Sequence, residues 1–125
     1  MAIITLSAAT FSETVEQPGI VLIDFWAAWC GPCRAFAPVF QAASDEHPEM
    51  VFAKVDTEAE PELAGSMGIR SIPTLMVFRD GILVFSQPGA LPASALANLI
   101  EAVEGLDMDS VRAEIAARQE APEAV

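Results

Sequence analysis

Two nearly uninterrupted apolar segments, separated by an amphipathic one, restrict the possible folds of this chain more than any other feature. Residues 20–26 and 51–56 have the pattern of strands that are covered on both faces. Between them, apolar side chains recur at the i, i+3, i+4 and i+7 positions of residues 36–43, which predicts a helix with one buried side. Strand, helix and strand in this order predict a βαβ unit with parallel strands and a right-handed crossover.

Other segments extend this unit into a larger sheet. Before it, we predict a strand at 3–6 and a helix that starts from a Thr10–Glu13 capping box and ends near Glu16. After it, we predict a short helix from Pro61 to Ala64, with Gly65 as its stop, and two strands at 74–79 and 82–87 that are joined by an Asp80-Gly81 turn. The last predicted element of the domain is a helix from the N-cap Ser94 to Gly105. Together they predict an α/β fold, in which a mixed five-stranded sheet has helices on both faces.

The C-terminal residues stand apart from this domain, which we expect to cover residues 1–105. In the extension 106–125, Met108, Val111 and Ile115 have helical spacing, and Glu114 is placed to pair with Arg118. We therefore expect a short amphipathic helix with a frayed end at residues 119–125. A partly ordered tail and a partner-binding segment both fit this pattern.

Charge and hydropathy exclude several classes of function. The chain of 125 residues has 6 basic and 18 acidic side chains, a formal charge of -12. Such a surface repels nucleic-acid phosphates and anionic lipid, so we expect neither as a partner. We see no apolar run long enough to span a bilayer and no secretory signal at the N-terminus. The small number of cysteines favours the reducing cytoplasm, where we expect the protein to act as a monomer.

The two cysteines, Cys30 and Cys33, allow three interpretations. A zinc site requires about four ligands, and besides these thiols the chain has one histidine, His47, so we expect no metal. As a structural cross-link the pair closes so small a loop that it would add only about 2 kcal/mol. Redox catalysis is the third interpretation, because two cysteines are too few for a secreted disulfide framework and a Cys-x-x-Cys pair in a reducing compartment is typically redox-active.

Position supports the redox interpretation and gives the two sulfurs different roles. Cys30 lies where a buried strand turns into a helix, so free N–H groups and the positive end of the helix dipole stabilise its thiolate. Cys33 lies one helical turn further on and deeper. We expect Cys30 to attack a substrate disulfide and Cys33 to resolve the mixed disulfide.

The chain resembles the thioredoxin family over about residues 3–104. The resemblance is carried by motifs in the family's order and spacing: the segment from Asp24 to Cys33 that contains Trp29-Cys30-Gly31-Pro32-Cys33, then Pro38, Lys54, Ile72-Pro73-Thr74, Asp80-Gly81 and Gly89-Ala90. The Gly31-Pro32 dipeptide is similar to that of the reducing members of the superfamily. The resemblance implies the thioredoxin fold, reduction of protein disulfides, no bound cofactor, and electrons from NADPH through a thioredoxin reductase.

The resemblance also implies that Asp24 accepts the proton of Cys33. Independently, an acid inside an apolar strand loses solvation, which raises its pKa toward the range of a general base. The alternative is a strand-end carboxylate that is hydrogen-bonded for structure. Lys54, on the next strand, is either the partner of Asp24 or an ordinary lysine that extends to solvent.

A substrate-docking surface around Cys30 is a further implication of the resemblance. Pro73 resembles the cis-proline that faces the cysteines, and Ile72 would pair its backbone with an extended substrate. The proposed apolar surface consists of Trp29, Ile72, Pro73, Gly89 and Ala90. Core packing of Trp29 and a simple turn at Gly89 are the alternatives.

Two classes of function remain open at this point. One is a protein-disulfide reductase whose partners are thioredoxin reductase and disulfide-containing proteins. The other is a redox co-chaperone or binding module that acts through the apolar surface and the extension 106–125. The second explains the extension better, and the first explains why both cysteines, Asp24 and Pro73 occur together.

Overall fold

A computed structural model describes residues 3–120, and in this range five strands form a single mixed sheet in the order β1-β3-β2-β4-β5. The strands are β1 (Ile4–Thr5), β2 (Ile20–Trp26), β3 (Val51–Asp56), β4 (Thr74–Arg79) and β5 (Ile82–Pro88). The helices are α1 (Ala8–Val15), α2 (Gly31–Glu46), α3 (Pro61–Ser66), α4 (Ala93–Glu104) and α5 (Met108–Glu120). The predicted α/β fold is confirmed.

The central strand is β2, which pairs in parallel with β3 and antiparallel with β4. Because side chains alternate along a strand, Val21, Ile23 and Phe25 enter one core layer, against α1. Leu22 enters the other, beneath Phe36 of α2. Both layers exclude water, which explains why β2 is apolar almost throughout.

Three helix limits differ from the predicted ones. The N-cap of α1 is Ser7, whose N–H donates to Thr10 Oγ1 over 3.0 Å, so the capping pair is Ser7 and Thr10 rather than Thr10 and Glu13. α3 continues through Gly65 to Ser66. α4 begins at Ala93 after Pro92, whose extended backbone makes it the N-cap without a side-chain hydrogen bond, and this leaves Ser94 inside the helix.

The C-terminal extension forms the predicted helix, α5. The predicted frayed end at 119–125 is wrong at its start, because the helix includes residues 119 and 120, and its remainder, 121–125, lies outside the described residues. Met108 is buried, and Val111 and Ile115 face β5 across a cleft of about 300 Å³. Arg118 bonds Glu114 over 2.7 Å, as expected. The Arg79 guanidinium holds the α4–α5 turn, since it donates to the carbonyls of Val103 (2.7 Å) and Leu106 (2.8 Å).

Truncation after Gly105 tests what this extension contributes. We expect the free energy of unfolding to fall by about 2 kcal/mol, because the buried Met108 and the half-buried Leu106 are lost. Disulfide reduction by the folded fraction should stay within about twofold, since α5 contributes nothing to the groove around Cys30. Denaturant titration and an insulin-reduction assay measure the two effects. Loss of activity in a chain that remains folded would make α5 part of the catalytic unit.

Candidate active site

The two cysteines lie at the start of α2, where β2 ends. Cys30 is the N-cap of this helix, and the Cys33 N–H donates to Cys30 Sγ over 3.1 Å. The residues are joined as a disulfide, with Cα atoms 5.2 Å apart. Both are buried within a small cluster that includes Ala27 and the half-buried Trp26. An N–H directed at the Cys30 sulfur stabilises negative charge on that atom after reduction.

A groove of about 450 Å³ opens beside Cys30. The residues that line it come from the cysteine turn, the end of β3, α3 and the loop before β4: Trp29, Cys30, Gly31, Pro32, Thr57, Ala64, Ile69, Arg70, Ser71 and Ile72. Cys33 is not among them. A substrate in this groove would meet Cys30 first.

The loop before β4 supplies the opposite wall of the groove. The Ile72–Pro73 peptide bond is cis, and the Ile72 carbonyl oxygen lies 3.7 Å from Cys30 Sγ. Pro73 is buried and, having no N–H, presents no backbone donor of its own beside the sulfur. Its carbonyl accepts the Gly89 N–H over 2.8 Å, so Gly89 is next to this loop, although neither Gly89 nor Ala90 lines the groove.

Trp29 is exposed at the rim of the groove, with 67% of its surface accessible, which rules out core packing. Its indole N–H donates to Glu58 Oε1 over 3.1 Å, which fixes the ring despite its exposure. Sequence reasoning placed Trp29 on the docking surface but missed Glu58 and Thr57. Their place in the sequence could have indicated this position, because both residues directly follow β3. The strands β2 and β3 are parallel, so their carboxyl ends lie at the same edge of the sheet.

Asp24 lies on the sheet face that carries α2. It is 5% exposed, and its Oδ1 is fully buried with no hydrogen-bond partner among the described residues, as is Trp26 Nε1. Burial raises the pKa of Asp24 from 3.8 to about 7, while the Lys54 ammonium acts in the opposite direction. A carboxyl with this pKa exchanges protons at neutral pH.

Lys54 is the register partner of Asp24 on β3, yet the two side chains form no salt bridge in the described part of the chain. The ammonium instead lies over the Trp26 ring, 5.2 Å from its centroid. Lys54 therefore influences Asp24 through its charge rather than by direct contact. The structure thus brings Asp24, Lys54 and Trp26 together, and Trp26 in turn packs against the cysteine pair.

Among residues 3–120, no three histidine, cysteine or acidic residues are grouped so that they could hold a metal ion. Over the same range, every helix is too short or too polar to cross a membrane.

Comparisons with known proteins agree with this geometry. The thioredoxin family model matches residues 2–102. A Streptomyces coelicolor protein named "Putative thioredoxin 2" is 53% identical over 116 residues, which cover 93% of this chain and 87% of the relative. The thioredoxin of Bacillus subtilis is 41% identical over 101 residues, 80% of this chain and 96% of the relative.

The fold is also found among solved structures. A Plasmodium falciparum thioredoxin superposes with a TM-score of 0.73 at 38% identity, covering 79% of this chain and 97% of that one. The family match and the paired cysteines identify a thiol-disulfide oxidoreductase. The chain belongs to the thioredoxin family.

Proposed function

We propose that this protein reduces disulfide bonds in other proteins, with Cys30 as the attacking nucleophile. The observation that carries the proposal is the Cys33 N–H aimed at Cys30 Sγ over 3.1 Å, on a sulfur that faces the groove. In the reduced protein this N–H and the start of α2 stabilise the Cys30 thiolate, the reactive form in disulfide exchange.

The reaction proceeds in two exchanges. The Cys30 thiolate attacks one sulfur of the substrate disulfide, forms a mixed disulfide and releases the other substrate sulfur as a thiolate. Cys33 then loses its proton, which Asp24 accepts, and attacks Cys30 Sγ. The second substrate sulfur leaves, and the protein ends with the Cys30–Cys33 disulfide seen in the structure.

Substrate docking involves the exposed rim and the loop before β4. Trp29 provides a fixed apolar surface on one side of Cys30, and Ile72 provides a backbone carbonyl on the other. Gly31 and Pro32 lie between the cysteines in the same wall. Pro73 and Gly89, which are joined by the bond from the Gly89 N–H to the Pro73 carbonyl, extend the docking surface on the Ile72 side, and we assign Ala90 to the same surface.

The reduced state is regenerated by electrons from NADPH through a thioredoxin reductase, with no cofactor bound to the chain itself. The protein acts in the cytoplasm as a monomer, and a single Cys-x-x-Cys motif with no further cysteines supports this compartment, because the pattern is typical of reducing environments.

An insulin-reduction assay with NADPH and a bacterial thioredoxin reductase tests this proposal. We expect insulin reduction with one NADPH oxidised per disulfide, and no NADPH oxidation when the chain is omitted. A parallel reaction supplies dithiothreitol in place of the enzyme and NADPH. If the protein reduces insulin with dithiothreitol but not with the reductase and NADPH, the proposed electron source is contradicted. If it reduces insulin with neither donor, disulfide reduction itself is contradicted.

A further inference from the structure

The basic side chains of this acidic protein are almost all engaged within it. Residues 3–120 include all six of them, and only Arg70 has neither a hydrogen bond nor an ion pair nor an aromatic partner in that range. The partners of the other five are the Ala28 carbonyl for Arg34, carbonyls at the end of α4 for Arg79, Asp109 for Arg112, Glu114 for Arg118 and the Trp26 ring for Lys54.

Arg70 lies where a substrate would dock. It is exposed and is the single charged residue among those that line the groove beside Cys30. It precedes Ile72, whose carbonyl oxygen is 3.7 Å from Cys30 Sγ, by two residues. Two residues span at most about 7 Å of backbone, so the guanidinium is within reach of substrate side chains close to the attacked sulfur.

The net negative charge of the protein makes a positive charge at Arg70 important for acidic substrates. A formal charge of -12 repels acidic segments at long range, although salt screens the repulsion beyond about 8–10 Å. At contact distance, a free guanidinium offers a planar pair of donors that matches a carboxylate. Arg70 is thus the one cationic side chain among the residues that line the groove, and so the one with which an acidic substrate residue can form an ion pair there.

We propose that Arg70 selects substrates in which an aspartate or glutamate lies within about three residues of the cysteine that Cys30 attacks. This selection rests on the proposed disulfide reduction. It adds a preferred substrate class, acidic segments around an accessible disulfide, and assigns Arg70 as the residue that recognises them.

The experiment compares two disulfide peptides that differ only by glutamate or glutamine two residues from one half-cystine. The pre-reduced protein is mixed with each peptide in a single turnover, without reductase, and the ratio of the second-order rate constants is measured. We expect a ratio of about two to five in favour of glutamate at low salt, which is the range for an exposed ion pair, and a lower ratio in about 1 M salt.

Three variants complete the test. In Arg70→Gln the ratio should fall to one or below, because only the long-range repulsion remains. In Arg70→Lys it should be intermediate, since the charge is kept without the planar fork. Arg112→Gln changes the net charge equally but lies on α5, away from the groove, and should keep the original ratio.

The possible results separate the selection from the underlying reaction. A ratio of one or less in the unmodified protein, or equal ratios in Arg70→Gln and Arg112→Gln, would overturn the role of Arg70 while disulfide reduction stands. If no variant reduces either peptide, the proposed function fails and the selection with it.

Discussion

Cys33→Ser should convert the protein from a turnover reductant into a covalent trap. Cys30 keeps the backbone N–H of position 33 at its sulfur and still attacks the substrate, because this donor does not depend on the side chain. The mixed disulfide then has no internal thiol to resolve it, so multiple turnover should fall by on the order of 10³-fold or more. Mass spectrometry of the reduced variant mixed with insulin should show one covalent adduct per chain.

Cys30→Ser is the matched control. It should lose turnover to a similar extent but form no adduct, because Cys30 lines the groove and Cys33 does not. Adducts with Cys30→Ser and none with Cys33→Ser would reverse the roles assigned to the two sulfurs. Equal trapping by both variants would show that the groove does not discriminate between them.

Asp24→Asn should stabilise the folded protein, and the gain should depend on pH. The native state holds the proton of Asp24 up to about pH 7, whereas the unfolded chain releases it near pH 3.8, so the carboxyl progressively destabilises the fold between these values. Below about pH 4 the variant should gain little. Above pH 7 the gain should reach on the order of 4 kcal/mol, from about three pKa units at 1.36 kcal/mol each. Denaturant titration of the oxidised protein from pH 4 to pH 8.5 measures it.

Lys54→Met gives the control for this titration. Removing the ammonium that lowers the pKa of Asp24 should move the upper end of the pH range over which stability falls to above pH 7. In an Asp24→Asn background, Lys54→Met should produce no such shift. A gain from Asp24→Asn that is equal at pH 4 and pH 8 would arise from packing rather than from charge, and would contradict the raised pKa.

The same variant tests Asp24 as a proton acceptor. Resolution of the mixed disulfide should slow at neutral pH in Asp24→Asn and become more dependent on hydroxide, because Cys33 then releases its proton to water. Stopped-flow measurement from pH 6 to pH 9 follows this step. An unchanged rate across that range would remove Asp24 from the mechanism, whatever its effect on stability.

The sequence predicted the centre of the fold better than its periphery. The predicted limits of β2 and β3 agree with the structure, because a strand buried on both faces leaves an apolar run that ends where burial ends. The cap of α4 was wrong because Ser94 and Pro92 both favour a helix start, and sequence alone does not rank them. Local sequence patterns were sufficient to predict the limits of buried strands. They were insufficient to predict a helix start where two neighbouring residues can each serve as the N-cap.

The candidate site shows the same division. Cys30 and Cys33 were accessible to sequence reasoning because both belong to one strand–helix junction. Glu58, which bonds Trp29 at the rim, and Arg70, which lines the groove, were missed because they lie on separate loops, whose positions depend on how β3 and β4 flank β2. Nor does a linear pattern show that the Lys54 ammonium lies over Trp26 instead of bonding Asp24.

The placement of the two tryptophans has an optical consequence. The chain contains two tryptophans and no tyrosine, and both indoles flank the cysteines, Trp26 packed against them and Trp29 exposed at the rim. Absorption and fluorescence at wavelengths that excite only indole therefore come from this end of the molecule alone. The unlabelled protein carries its own spectroscopic probe of this site, and its emission can follow oxidation, docking and resolution in real time.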